Sequence, residues 1–252
     1  MFSMGGFGFL FEVELGFDYY KYIKVGMFME ENLSDFFKYN SIGKTYNNEK
    51  GIISLTSWKA RINTVSKTIF SLIKQCPGFH IVLVLSEEEF PNKESELPDD
   101  LMLFVNSNLI EIFWIYQNYK AFKKILFTLD KYRDVPVISA DDDCIYTCNY
   151  AEQLYKEWER NKNSIIRFPK FAKRNNYVAG PYTLYPTYNY FRKYFEGMME
   201  QLSPKLIKLS FDDDFYNKII KANKLSVKSL NRSYIPAKFI RQECAIHKNF
   251  KL

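Results

Sequence analysis

Histidine is almost missing from this 252-residue chain: there are two, His80 and His247. That scarcity argues against a His-rich metal centre. Cysteine is also sparse, and Cys76, Cys144, Cys148 and Cys244 form no zinc-type C-x-x-C pair. Reduced thiols are expected. No apolar run reaches the ~20 residues that a membrane-spanning helix needs. The longest candidate, Met1 to Phe17, is broken by Glu12 and Glu14 and lacks the positive flank of a signal peptide. A cytosolic chain is the expectation. A glycine-rich phosphate loop is absent too. No strand precedes Gly5-Gly6-Phe7-Gly8, and Gly51-Ile52-Ile53 is not such a loop. A nucleotidyltransferase is disfavoured accordingly. A phosphatase of the D-x-D-x-T type is disfavoured because Cys144 and Ile145 follow Asp143.

Hydrophobic residues make up 47% of the chain and charged ones 25%. These values exclude disorder, collagen-like repeats and a disulfide-stapled miniprotein. The aromatic share of 18% is enough to line a groove with rings, although most rings in any protein belong to its core. Net charge is +6, unevenly spread. Residues 1–50 carry five Lys against seven acids, whereas 221–252 carry eight Lys or Arg against Glu243 alone. A basic tail on a nearly neutral body points to a local anionic partner, not to whole-surface nucleic-acid binding.

Regular patterning begins at Gly51. Ile52 to Leu55 is a short apolar run closed by Thr56-Ser57. Apolar residues at 62, 65, 69, 72 and 73 trace a helical face that ends at Cys76-Pro77-Gly78. His80 to Leu85 reads as a strand buried on both faces. A polar loop is expected from Ser86 to Asp100, then a strand from Ile110 to Ile115. Phe122, Ile125, Leu126 and Leu129 mark a second helix. Val135 to Ala140 is a further strand, with Pro136 near its start. Ala151, Leu154, Tyr155 and Trp158 mark a third helix. This alternation predicts a mostly parallel α/β sheet. Ligands of such sheets sit beyond the carboxyl ends of the strands, which directs attention to Thr56, Ser57 and the residues after Ala140.

Asp141-Asp142-Asp143 follows that last strand directly. Three adjacent carboxylates repel one another unless a cation is present. Strand alternation would aim Asp141 and Asp143 one way and Asp142 the other. Hard cations such as Mg2+ and Mn2+ choose such oxygens, and a D-x-D pair can hold one against a diphosphate. A second triplet, Asp212-Asp213-Asp214, precedes Phe215, Ile219 and Ile220 at helical spacing. Acids at a helix start are also favoured by the dipole, so a helix cap is the alternative reading of this triplet.

The segment Val137 to Tyr146 resembles the DxD segment of GT-A glycosyltransferases. Ile53 to Ile62 resembles the first strand and loop of bacterial members that build surface glycans. Tyr119 to Leu126 is similar to that group's basic helix start, Gly180 to Pro186 to its glycine and Tyr-Pro segment, and Asp213 to Lys218 to its second acidic motif. The resemblance covers about residues 51–230. Residues 1–50 have no counterpart, and Tyr216 stands where the group often has Trp.

The resemblance implies a Rossmann-like GT-A fold with a mostly parallel central sheet flanked by helices. It divides the chain into an N-terminal arm (1–50), a glycosyltransferase domain (51–230) and a basic tail (231–252). It implies that Thr56, Ser57, Arg61, Lys124, Asp141, Asp142 and Gly180 meet a nucleotide sugar. It makes Asp143 and Asp141 ligands of Mn2+ or Mg2+, with His247 as a further ligand. Asp214, or Asp213 beside it, becomes the general base of an inverting reaction. Tyr182, Tyr185, Tyr188 and Tyr190 are candidates for stacking on sugar or for the core, and His80 for a structural role. The implied activity is metal-dependent transfer of a hexose from a UDP-sugar to a glycan or lipid-linked acceptor in surface polysaccharide synthesis. The basic tail, with Lys238, Arg241 and Lys248, would meet the diphosphate or the inner membrane face. The alternative is a non-catalytic module of the same fold that serves assembly at the membrane.

Overall fold

The computed structural model describes residues 49–76, 78–146, 149–168, 180, 182–190, 194, 207, 212–230 and 237–239. His247, Arg241, Lys248, Cys148, Cys244 and the arm up to residue 48 lie outside the described residues.

The central sheet begins with β1 (Gly51–Thr56), β2 (Phe79–Ser86), β3 (Glu111–Ile115) and β4 (Val137–Ser139). β6 (Ile165–Arg167), β7 (Thr183–Tyr185) and β8 (Val227–Ser229) complete it. Their spatial order is β3-β2-β1-β4-β7-β6-β8. β1 pairs in parallel with β2 and β4, and β2 with β3. β7 alone runs antiparallel to its neighbours, since β6 and β8 pair in parallel. The sheet is therefore mostly parallel, as the alternating pattern predicted.

β1 and β2 show why. Every residue of β2 is buried, and so are the first five of β1. Ile52, Val82 and Val84 join Phe122, Ile125 and Leu126 in one core cluster. The intervening Ile53, Leu55, Ile81, Leu83 and Leu85 are buried on the other face. A strand covered on both sides needs a continuous apolar run, and each such side chain contributes about 1.5–3 kcal/mol of burial. Gly51 allows close approach here, because a Cβ would stand 2.9 Å from the Pro136 carbonyl oxygen. That carbonyl accepts the Ile52 N–H.

The helices are α1 (Val65–Gln75), α2 (Asp99–Asn106), α3 (Lys123–Lys131), α4 (Tyr150–Arg160) and α5 (Asp212–Ala222). α1, α3 and α4 fall where the apolar periodicity puts them. The loop expected to reach Asp100 stops at Pro98, and α2 begins with Asp99 and Asp100 in its first turn. Proline before two acids is a good helix start. α2 is anchored by buried Leu101 and Phe104. Phe215, Tyr216 and Ile220 pack α5 against the same cluster as α3.

One local expectation fails. β4 ends at Ser139, and residues 141–143 form a turn instead of prolonging the strand. Aspartate favours turns, so the expected alternation of Asp141, Asp142 and Asp143 does not apply. β5 (Cys144–Tyr146) follows the turn and pairs antiparallel with β9 (Ala237–Phe239) in a separate two-stranded sheet. The start of the basic tail is thereby bound to the strand that leaves the acidic turn.

Candidate functional site

The sheet order reverses between β1 and β4. After β1 the chain builds outward through β2 and β3, then returns to place β4 on the other side of β1. The crevice at such a switch point, beyond the carboxyl ends of the strands, is the usual ligand position in open α/β sheets. Thr56 and Ser57 leave β1 there, and the acidic turn leaves β4 there.

The two are tied together. The Ser57 hydroxyl donates to Asp142 Oδ2 at 2.6 Å. Arg61 spans two carboxylates, Nη2 lying 2.9 Å from Asp142 Oδ1 and Nη1 2.8 Å from Asp143 Oδ2. The backbone of the turn is clamped as well. Thr68 Oγ1 donates to the Asp142 carbonyl at 2.9 Å, and the Asp141 N–H donates to Tyr146 Oη at 2.7 Å. Thr56 Oγ1 donates to the Val84 carbonyl, which joins β1 to β2.

On the other flank Lys124 joins both acidic triplets. Its Nζ lies 2.8 Å from Asp141 Oδ1 and 3.4 Å from Asp212 Oδ2. Lys124 is buried at the start of α3, held there by Ile125 and Leu126 in the core. Its carbonyl accepts the Ser54 hydroxyl of β1. Asp212 lies on the buried face of α5, three and four residues before Phe215 and Tyr216. Sequence reasoning put Asp214 and Asp213 ahead of it. The i, i+3, i+4 spacing to the apolar face was the signal that singles out Asp212. Asp213 and Asp214 are half-buried on the same first turn. Asp213 adds to the field that favours the Lys124 ammonium.

The electrostatics are tense. Burial pushes the Asp142 carboxyl up to about 6, Asp143 and Asp141 push the same way, and Arg61 and Ser57 oppose them. Asp143 is raised by burial and by Asp141, against Arg61. Asp212 is raised by burial and its acidic neighbours, against Lys124. Burial works against a charged Lys124, but Asp141, Asp212 and Asp213 outweigh it and hold the ammonium well above its usual value. The repulsion among the carboxylates is therefore relieved in part by Arg61 and Lys124. Two donors on the loop after β1, Trp58 Nε1 and Arg61 Nε, are buried with no hydrogen-bond partner among the described residues. Unsatisfied buried donors cost about 1–3 kcal/mol each.

Beside this network opens a cavity of about 320 Å³. It is lined by Thr56, Ser57, Trp58, Arg61 and Asp142, and by Glu89, Asn118, Lys120, Ala121 and Lys123. The structure brings Thr56, Ser57, Arg61 and Asp142 together at one cavity. Asn118 and Glu89 were not foreseen, because loops after β2 and β3 meet only in three dimensions. Gly180 lies beside β4, where its carbonyl accepts from Ser139 Oγ. Its φ of 148° suits glycine. Tyr185 and Tyr188 are core residues. Tyr182 Oη sits 3.6 Å from Cys144 Sγ, behind the acidic turn. His80 is buried against Glu111, in the structural role expected of it.

Asp141 and Asp143 keep 30% and 15% of their side chains exposed. Carboxylate donors fit Mg2+ or Mn2+. Among the described residues no third His, Cys, Asp or Glu joins them. Such cations commonly take one or two carboxylates and leave the remaining positions to water and substrate phosphate.

No family model and no curated sequence matches the chain. Solved structures do match in fold. TarS of S. aureus, residues 1–349 in complex with UDP-GlcNAc, superposes with a TM-score of 0.56 at 10% identity, over 81% of this chain and 62% of that one. Full TarS gives 0.53 at 11% identity, over 76% and 37%. The glycosyltransferase GlyE of Streptococcus pneumoniae TIGR4 gives 0.50 at 14% identity, over 73% and 45%. The chain thus spans less than two thirds of each of these proteins. It has the GT-A-like fold that they share.

Proposed function

We propose that this chain is a glycosyltransferase that takes its sugar from a nucleotide diphospho-sugar, with a UDP-sugar as the first choice. The observation that carries the proposal is the cavity at the β1–β4 switch point, walled by Ser57, Arg61 and Asp142 and flanked by the acidic turn. A fold shared with glycosyltransferases, one of them in complex with UDP-GlcNAc, supports it. We further propose a glycan or lipid-linked acceptor in surface polysaccharide synthesis. The core 51–230 would do the chemistry, and the basic tail would meet phosphate or the inner face of a membrane. Among the described residues no helix is long and apolar enough to cross one.

In this reading the nucleotide enters the cavity beside the acidic turn, and its diphosphate reaches toward Asp141 and Asp143. A Mg2+ or Mn2+ ion held by these two carboxylates, with His247 as a further candidate ligand, would neutralise the diphosphate as it leaves. Arg61 fixes Asp142 and Asp143 in place, and Lys124 fixes Asp141. The acceptor hydroxyl attacks the anomeric carbon, the bond to the diphosphate oxygen breaks, and the hydroxyl proton passes to a carboxylate of α5. Asp214 or Asp213 suits that role, because both are partly exposed while Asp212 is buried against Lys124. Single displacement of this kind inverts the anomeric centre.

A thermal-shift screen of UDP- and GDP-sugars with and without Mn2+ tests the proposal. The right donor at 100 times its Kd adds about 2.7 kcal/mol of stability. Asp143→Ala should abolish turnover and the Mn2+-dependent part of the shift. Full activity of that variant, or full activity in EDTA, defeats the metal role. Silence toward every nucleotide sugar defeats the donor assignment. Binding without turnover across a broad acceptor panel identifies a non-catalytic module.

A further inference from the structure

Three cationic side chains line the cavity: Arg61, Lys120 and Lys123. Two are already neutralised. Arg61 is held by Asp142 and Asp143. Lys123 is buried 3.0 Å from Glu89, and its burial lowers the affinity of the amine for its proton. Lys120 is exposed, and no carboxylate among the described residues pairs with it. It is the cavity cation left for a ligand.

The Lys120 backbone lies in the left-handed region, with a φ of 50°. Lys93 shares that angle and likewise opens a 3-10 turn, so the angle belongs to this kind of turn. Asn118 Oδ1 accepts the Lys120 N–H at 2.8 Å, and the Asn118 N–H donates to Glu88 Oε2 at 2.7 Å. These bonds fix the backbone from which the exposed side chain lines the cavity.

We propose that Lys120 recognises a phosphate group of the ligand that fills this cavity, as a specificity-determining residue. The inference rests on the nucleotide reading above, and it assigns phosphate recognition to Lys120, not to Arg61 or Lys124, whose charges are already met by carboxylates.

Isothermal titration with UDP, across a range of NaCl concentrations, tests it on the full chain. Wild-type affinity should fall as salt rises. Lys120→Gln should bind UDP about tenfold more weakly with a flatter salt dependence, and Lys120→Arg should stay within about threefold of wild type. Lys120→Gly should bind as weakly as the Gln variant, yet melt no lower than wild type, since glycine accepts the backbone angle. A Gln variant within twofold of wild type overturns the proposal. So does an Arg variant as weak as Gln, which would show that charge is not what the site uses. If wild-type protein itself ignores UDP, the nucleotide reading fails and this proposal with it; if wild type binds and the variants follow it, this proposal alone fails.

Discussion

At the amino ends of β2 and β3, Glu111 receives hydrogen bonds from His80, Lys131 and Tyr132. Burial works against its charge, yet these three donors hold its carboxyl down at about 2. At the opposite edge of the sheet, beyond the carboxyl end of β4, Asp142 receives Ser57 and Arg61 and is nonetheless pushed up to about 6. The partners are of similar number and type. The difference lies first in burial, which is deep at Asp142 and partial at Glu111, and then in the neighbours: Glu111 meets three donors, whereas Asp142 shares Arg61 with Asp143 and sits beside Asp141. One edge of the sheet stores its acid in a satisfied clip. The other keeps acids crowded and incompletely neutralised, which costs stability in the free protein and suits a site that awaits a charged ligand.

Three substitutions would break or sharpen this contrast. Lys124→Met should have the largest effect. It leaves the buried Asp212 and the half-buried Asp141 without their shared cation, at a cost of about 3 kcal/mol in urea unfolding. A loss below about 1 kcal/mol would mean that the bridge between the triplets is not formed in solution.

Asp142→Asn comes next, and its sign is unusual. A carboxyl raised in the folded state contributes stability below its unfolded value near 3.8 and loses it as pH rises through about 6. The rise from 3.8 to about 6 corresponds to roughly 3 kcal/mol. The amide variant should therefore be about 1–3 kcal/mol more stable than wild type at pH 8 and no more stable at pH 4. Nucleotide affinity should fall in the same protein. A variant destabilised at pH 8 would contradict the tension inferred at this edge.

Glu111→Gln should do the reverse, and more weakly. A depressed carboxyl contributes stability above its unfolded value near 4.5 and loses it as pH falls toward 2. Partial exposure of Glu111 reduces the effect to about 1 kcal/mol at pH 7. Melting curves between pH 2 and 5 should be flatter for the variant than for wild type, with unchanged turnover. Carboxyl-to-amide exchange would then carry opposite signs at the two edges of one sheet.

Much of this arrangement is legible in the residues themselves. Ile52 to Leu55 and His80 to Leu85 announce buried strands because a two-sided burial leaves no polar position. Ser57, Arg61 and the acidic turn are reachable through the rule that parallel sheets bind ligands at their carboxyl ends. α2 was hidden because its Pro98-Asp99-Asp100 start reads as loop until Leu101 and Phe104 are seen in the core. The triplet was placed after the strand, but its side chains were expected to alternate as if the strand continued, whereas the chain turns there. The charges were the hardest part. Three adjacent carboxylates demand a cation, but only the fold tells that Arg61, 80 and more residues upstream, and Lys124 already supply two. Asp212 was overshadowed by Asp213 and Asp214, since a resemblance of motifs ranks residues by position and not by which helix face is buried.

The pairing of β5 with β9 carries a consequence for how the molecule is made. Ile145 stands opposite Lys238, so the strand that follows the acidic turn finds its partner 93 residues later. Contacts so distant in sequence form late, after loop closure has been achieved elsewhere. During synthesis the sheet from β1 to β4 can assemble while β5 still lacks its neighbour. The acidic turn would then be the last part of the crevice to be braced, and a nascent chain would hold the architecture before it holds the working geometry.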